Sequence, residues 1–136
     1  DPETTAPDLR PSRSRSGTET VLLAEDEAGV RAAVRDGLTR LGYRVIDAPD
    51  GATALLRAAE TGKIDLLITD VAMPGMSARE LTERLLVSHP GLKVIYMSGH
   101  TDAAIGDPET WGGGAVFLRK PFTAEALARR VRELFG

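Results

Sequence analysis

Ile64-Asp65-Leu66-Leu67-Ile68-Thr69-Asp70 is the stretch that decides the fold. Its nearly continuous apolar character is that of a strand covered on both faces, as in a parallel sheet sandwiched between helices. Three further runs end on a polar residue in the same manner. Val21-Leu22-Leu23-Ala24-Glu25 leads to Asp26, Val94-Ile95-Tyr96-Met97 to Ser98, and Val116-Phe117-Leu118-Arg119 to Lys120. In open parallel sheets ligands gather in the crevice at the carboxyl ends of the strands. Asp26, Asp70, Ser98 and Lys120 are therefore expected to converge on one site.

Working outward, Thr20 to Ala24 reads as the first strand. Val30, Ala33, Val34, Leu38 and Leu41 follow at three- and four-residue spacings, the stripe of a helix with one buried face, and Gly42 ends that helix. Tyr43 to Asp47 reads as a second strand, Ala52 to Glu60 as a helix closed by Gly62, and Ile64 to Thr69 as the central strand. Ser77 to Ser88 forms a third helix with Leu81, Leu85 and Leu86 inward. Leu92 to Met97 and Ala115 to Leu118 are the last strands. Thr123 to Phe135 is the final helix, with Thr123 as N-cap, Glu125 favourable to the helix dipole, and Leu127, Val131 and Leu134 facing in. Between Thr101 and Gly114, Gly106, Pro108 and Gly112-Gly113-Gly114 leave space for at most a short or irregular helix, the fourth of five in chain order. Right-handed crossovers then favour an α/β, doubly wound five-stranded parallel sheet in the flavodoxin-like order 2-1-3-4-5.

A chain of 136 residues fits one domain that buries roughly 68–70% of its unfolded surface. The absence of Cys removes disulfides and thiolate metal sites and agrees with a reducing cytoplasm. A net charge of -3 offers no broad basic field, so direct nucleic-acid binding is not expected. No apolar stretch approaches the roughly 20 residues of a membrane span, and no signal segment is visible. Residues 1–19, rich in Pro, Ser, Thr and Arg, read as a disordered linker or tail; residues 20–136 read as the domain.

Glu25, Asp26 and Asp70 in one crevice would repel by about 4 kcal/mol per pair at about 4 Å and an effective dielectric of about 20. Lys120 supplies one positive charge. With oxygen ligands and no Cys, Mg²⁺ is the hard cation that fits best, leaving positions open for phosphoryl oxygens. A carboxylate beside such an ion is a nucleophile toward phosphorus, and the transfer asks for a metal, a cation and a hydroxyl. Asp70, Asp26 with Glu25, Lys120 and Ser98 fill those roles, and Gly99 lets the backbone approach closely.

From Thr20 to Gly136 the chain resembles the receiver domain of two-component response regulators. The resemblance rests on Glu25-Asp26, Asp70, Met73-Pro74-Gly75, Ser98-Gly99 and Lys120-Pro121 in that order. It implies that Asp70 is the phosphoacceptor and that Glu25, Asp26, Asp70 and the backbone carbonyl of Ala72 hold Mg²⁺. It also implies that Lys120 pairs with the phosphate, and that Ser98 and Phe117 form the switch. Phosphorylation would draw Ser98 inward, Phe117 would fill the vacated space, and a protein-interaction surface would change shape. The donor implied is a phosphohistidine on a histidine kinase or a histidine phosphotransfer domain. The phrases Met73-Pro74-Gly75-Met76-Ser77 and Tyr96-Met97-Ser98-Gly99 look most like a C-terminal receiver of a hybrid sensor histidine kinase; a free-standing regulator is the other option. A cytoplasmic monomer or weak dimer without membrane contact is expected, a phosphoacceptor module and not an enzyme.

Blander readings stand beside these. Asp26 and Asp70 taken singly would be helix caps, Phe117 a core aromatic, His100 a solvated loop residue, Trp111 a lid over apolar surface, and Met73 and Met76 loop anchors. Two other functions share the fold. A Mg²⁺-dependent aspartyl-phosphate phosphatase-like enzyme wants a second acid two residues after its nucleophile, where Ala72 stands. A flavodoxin-like nucleotide binder wants a phosphate loop after the first strand, where Glu25-Asp26-Glu27 repels phosphate.

Overall fold

The computed structural model describes residues 19–73, 75–98, 116–120 and 122–135. Among these the chain forms β1 (Thr20–Ala24), α1 (Ala28–Arg40), β2 (Arg44–Ala48), α2 (Gly51–Thr61), β3 (Leu66–Asp70), α3 (Ala78–Ser88), β4 (Lys93–Ser98), β5 (Val116–Arg119) and α4 (Ala124–Phe135). All strand pairs are parallel and the order is β2-β1-β3-β4-β5, as the sequence predicts. The expected boundaries hold to within one or two residues. Residues 1–18 of the expected linker 1–19, Pro74, Gly99, His100, the segment Thr101 to Gly114 with Trp111, and Pro121 lie outside the described residues.

Side-chain alternation divides the core into two layers. On one face Val21, Leu23, Leu66, Ile68, Ile95 and Met97 pack with Val34 and Leu38 of α1 and with Leu127 and Val131 of α4. On the other, Leu22, Ala24 and Leu67 meet Ala54 and Ala58 of α2 and Leu81 and Leu85 of α3. β1 and β3 are buried along their whole length, which is why they read as unbroken apolar runs.

Two helix faces depart from the expected stripes. In α1, Ala33 is exposed and Leu41, now the C-cap, is 43% exposed. Leu86 of α3 is likewise exposed, because it lies about 100° around the helix from Leu85, which takes the inward position. Thr82 completes that buried face, and its hydroxyl donates to the Ala78 carbonyl at 2.9 Å. The predicted cap of α4 is present: Thr123 Oγ1 accepts from the Ala126 N–H at 3.0 Å. Ser77 caps α3 through the Glu80 N–H in the same way.

Candidate functional site

Strand register brings the acidic residues level. Ala24 of β1 pairs with Thr69 of β3, so Glu25 and Asp70 each come one step later, at the carboxyl edge. Ligand oxygens of Glu25, Asp26 and Asp70 lie within 4.8 Å of one another. Glu25 and Asp70 are buried, whereas Asp26 is exposed.

Lys120, just past β5, closes the group. Its Nζ donates to Asp70 Oδ2 at 2.9 Å and to Glu25 Oε1 at 2.9 Å. Its own backbone N–H donates to the Ser98 carbonyl at 2.7 Å, fixing it against the end of β4. Asp70 Oδ1 accepts the Ala72 N–H at 3.0 Å, which curls the loop after β3 under the carboxylate. The four strand-end residues picked out by sequence are thus assembled on one rim. Ser98 is buried beside them. Phe117 lies one strand over from Tyr96 in register, with ring centroids 5.2 Å apart and planes inclined by 29°. Met73 and Met76 pack against the α2–α3 layer as loop anchors.

The electrostatics follow from burial. Loss of solvent pushes the Glu25 carboxyl from its ordinary 4.5 up to about 7; the Glu27 N–H and Lys120 oppose the rise and the Asp70 charge adds to it. Burial also works against the Lys120 ammonium. Hydrogen bonds to Asp70 and Glu25, with their Coulombic attraction, outweigh it and hold the Lys120 pKa above the ordinary lysine value. One ammonium therefore faces a cluster of three acids whose donors are all oxygens, one of them open to water. That donor set fits a hard divalent cation.

Sequence reading missed three contributors. Arg31 donates from Nη1 to the Glu25 carbonyl at 2.8 Å. The Glu27 N–H donates to Glu25 Oε2 at 3.0 Å. Tyr96 Oη donates to Thr82 Oγ1 at 2.9 Å inside the α3 layer. Long-range partners of an Arg or a buried hydroxyl leave no periodic signal; only Thr82, replacing an apolar residue on the inward stripe of α3, was open to notice.

Comparison with known proteins agrees with this geometry. The family described as the response regulator receiver domain matches residues 21–132. The chain is 38% identical over 120 residues to the sensor kinase CckA of Brucella abortus, covering 88% of this chain but spanning 13% of that kinase. It is 32% identical to the response regulator receiver protein CpdR of the same organism, covering 84% of this chain and 94% of that protein. Among solved structures, the receiver domain of the hybrid histidine kinase CckA aligns with a TM-score of 0.66 at 34% identity, covering 86% of this chain and 99% of that one. A receiver domain protein from Clostridium thermocellum aligns with a TM-score of 0.75 at 27% identity, covering 85% and 93% respectively.

Proposed function

Since the chain belongs to the response regulator receiver domain family, whose members are phosphoacceptors in two-component signalling, we propose that Asp70 is the residue that takes the phosphoryl group. The observation that carries this reading is the ammonium of Lys120 held 2.9 Å from both Asp70 and Glu25 at the ends of three different strands. In the transfer, a carboxylate oxygen of Asp70 forms a bond to phosphorus while the phosphorus–nitrogen bond of a donor phosphohistidine breaks. The electron pair stays on the departing imidazole nitrogen, which takes up a proton.

Glu25, Asp26, Asp70 and the carbonyl of Ala72 are the proposed holders of Mg²⁺. Bound there, the ion supplies charge neutralisation and polarises the phosphoryl oxygens. Lys120 neutralises charge that Asp70 acquires with the phosphoryl group, and Ser98 offers a hydroxyl to the same oxygens. Phe117, in contact with Tyr96, is the proposed moving aromatic, so that the product of the reaction is an altered surface. We read the donor as a histidine kinase or histidine phosphotransfer domain. The likeness to the CckA kinase and its receiver favours membership of a hybrid kinase. The domain acts as a cytoplasmic signalling module that assists its own phosphorylation and dephosphorylation, as a monomer or weak dimer.

The test is incubation of the chain with Mg²⁺ and acetyl phosphate, followed by intact mass measurement. A phosphoryl adduct is expected in the wild type and not in Asp70→Asn. An adduct undiminished in the variant refutes the assignment.

A further inference from the structure

The arc Glu25-Asp26-Glu27, which carries the exposed acid of the site out of β1 and into α1, is clamped at both ends by a single residue. The backbone N–H of Arg31 donates to the Glu27 carbonyl at 2.9 Å, and its Nη1 donates to the Glu25 carbonyl at 2.8 Å. Glu25 is held on its other sides as well: its N–H donates to the Ala48 carbonyl at 3.1 Å, and its carboxylate accepts from Glu27 and Lys120. The Arg31 guanidinium is itself anchored, with Nε 3.3 Å from Asp47 Oδ2 on β2. Arg35 adds a weaker contact to the same oxygen at 3.6 Å.

We propose that Arg31 is a positioning residue for the cation site: by fixing the Glu25 carbonyl it sets the peptide plane from which Asp26 projects, and so the direction of the Asp26 carboxylate. The proposal rests on the phosphoacceptor reading only for its consequence in phosphotransfer; its direct object is Mg²⁺ binding. Two features separate it from a plain structural strut. A planar guanidinium spans the Glu25 carbonyl and the Asp47 carboxylate at once, which a lysine ammonium at the same place does not reproduce. The sign of the effect is also diagnostic. Removing a positive charge beside three acids should, by Coulomb's law alone, tighten the binding of a cation. Loss of a positioning contact should weaken it.

The experiment measures Mg²⁺ binding to the full chain by calorimetry without any phosphoryl donor, and melting temperature with and without Mg²⁺, for wild type, Arg31→Gln and Arg31→Lys. Outer contacts of metal ligands typically govern about 10- to 100-fold in affinity. Arg31→Gln is therefore expected to weaken Mg²⁺ binding on the order of 10-fold and to shrink the rise in melting temperature that Mg²⁺ produces, with Arg31→Lys, which keeps the charge and safeguards folding, weakened in the same direction. Unchanged or tighter binding in both variants overturns the proposal, even if their metal-free melting temperatures fall. Failure of the phosphoacceptor reading is seen separately, as acetyl phosphate labelling that persists in Asp70→Asn, and leaves the calorimetric result standing.

Discussion

Lys120 Nζ and Asp70 Oδ2 stand 2.9 Å apart although 50 positions separate the two residues in the chain. The contact joins the end of β3 to the end of β5 across β4. Replacing Lys120 by Met removes the ammonium that neutralises the site, so labelling by acetyl phosphate should slow about 10²-fold, the usual effect of losing one electrostatic stabiliser. Mg²⁺ affinity should hold or rise, because a competing cation has gone. Calorimetry and a labelling time course separate the two effects, and a parallel loss of both contradicts the role given to Lys120.

Glu25 makes the metal-free protein sensitive to pH. Its folded-state pKa of about 7 lies above the ordinary 4.5, so between those values the native state binds more protons than the unfolded state. Its contribution to stability is therefore full below about pH 4.5 and is lost as pH rises toward 7. Urea denaturation in the presence of a chelator, compared between wild type and Glu25→Gln, should show this downward slope only in the wild type. The same proton competes with the cation, so Mg²⁺ binding should strengthen and release protons over that window.

Gly51 opens α2 where a Cβ would meet Met76 Cβ at 3.0 Å. Gly51→Ala must push Met76, which anchors the loop following Asp70, and overpacking of this kind typically costs about 1–3 kcal/mol. A thermal melt reads the loss. In the double variant Gly51→Ala, Met76→Ala the Cβ contact at 3.0 Å stays and only the Cγ and Sδ contacts at 3.3 Å go, so the clash should be eased in part and the two changes should be non-additive.

Tyr96→Phe deletes the hydrogen bond to Thr82 Oγ1 while leaving the ring against Phe117. Destabilisation of about 0.5–1.5 kcal/mol is expected, with acetyl phosphate labelling preserved. A larger loss in chemical denaturation contradicts that magnitude.

Ser77→Ala removes the oxygen that accepts the Glu80 N–H at the start of α3. About 1 kcal/mol of stability should go with it, measured by the denaturation midpoint, and Ser77→Asp should restore most of the difference.

The sheet was legible in the sequence because burial on both faces writes itself into consecutive residues: β1 and β3 have no exposed position to interrupt the apolar run. The rim was legible for the same reason, since a polar residue at the end of such a run has nowhere else to stand. Helix faces were less so. An apolar residue does not say which arc of its helix meets the sheet, and Ala33, Leu41 and Leu86 each fit a plausible stripe yet face solvent. Arg31 was hidden by its reach, because the carbonyl it joins lies just past the end of β1 and the carboxylate lies on β2.

The 2.7 Å bond from the Lys120 N–H to the Ser98 carbonyl makes one rung of the ladder carry both the cation and the hydroxyl of the site. The two side chains therefore hang from one peptide link, and neither end of that link can be displaced without bearing on the pairing of β5 with β4.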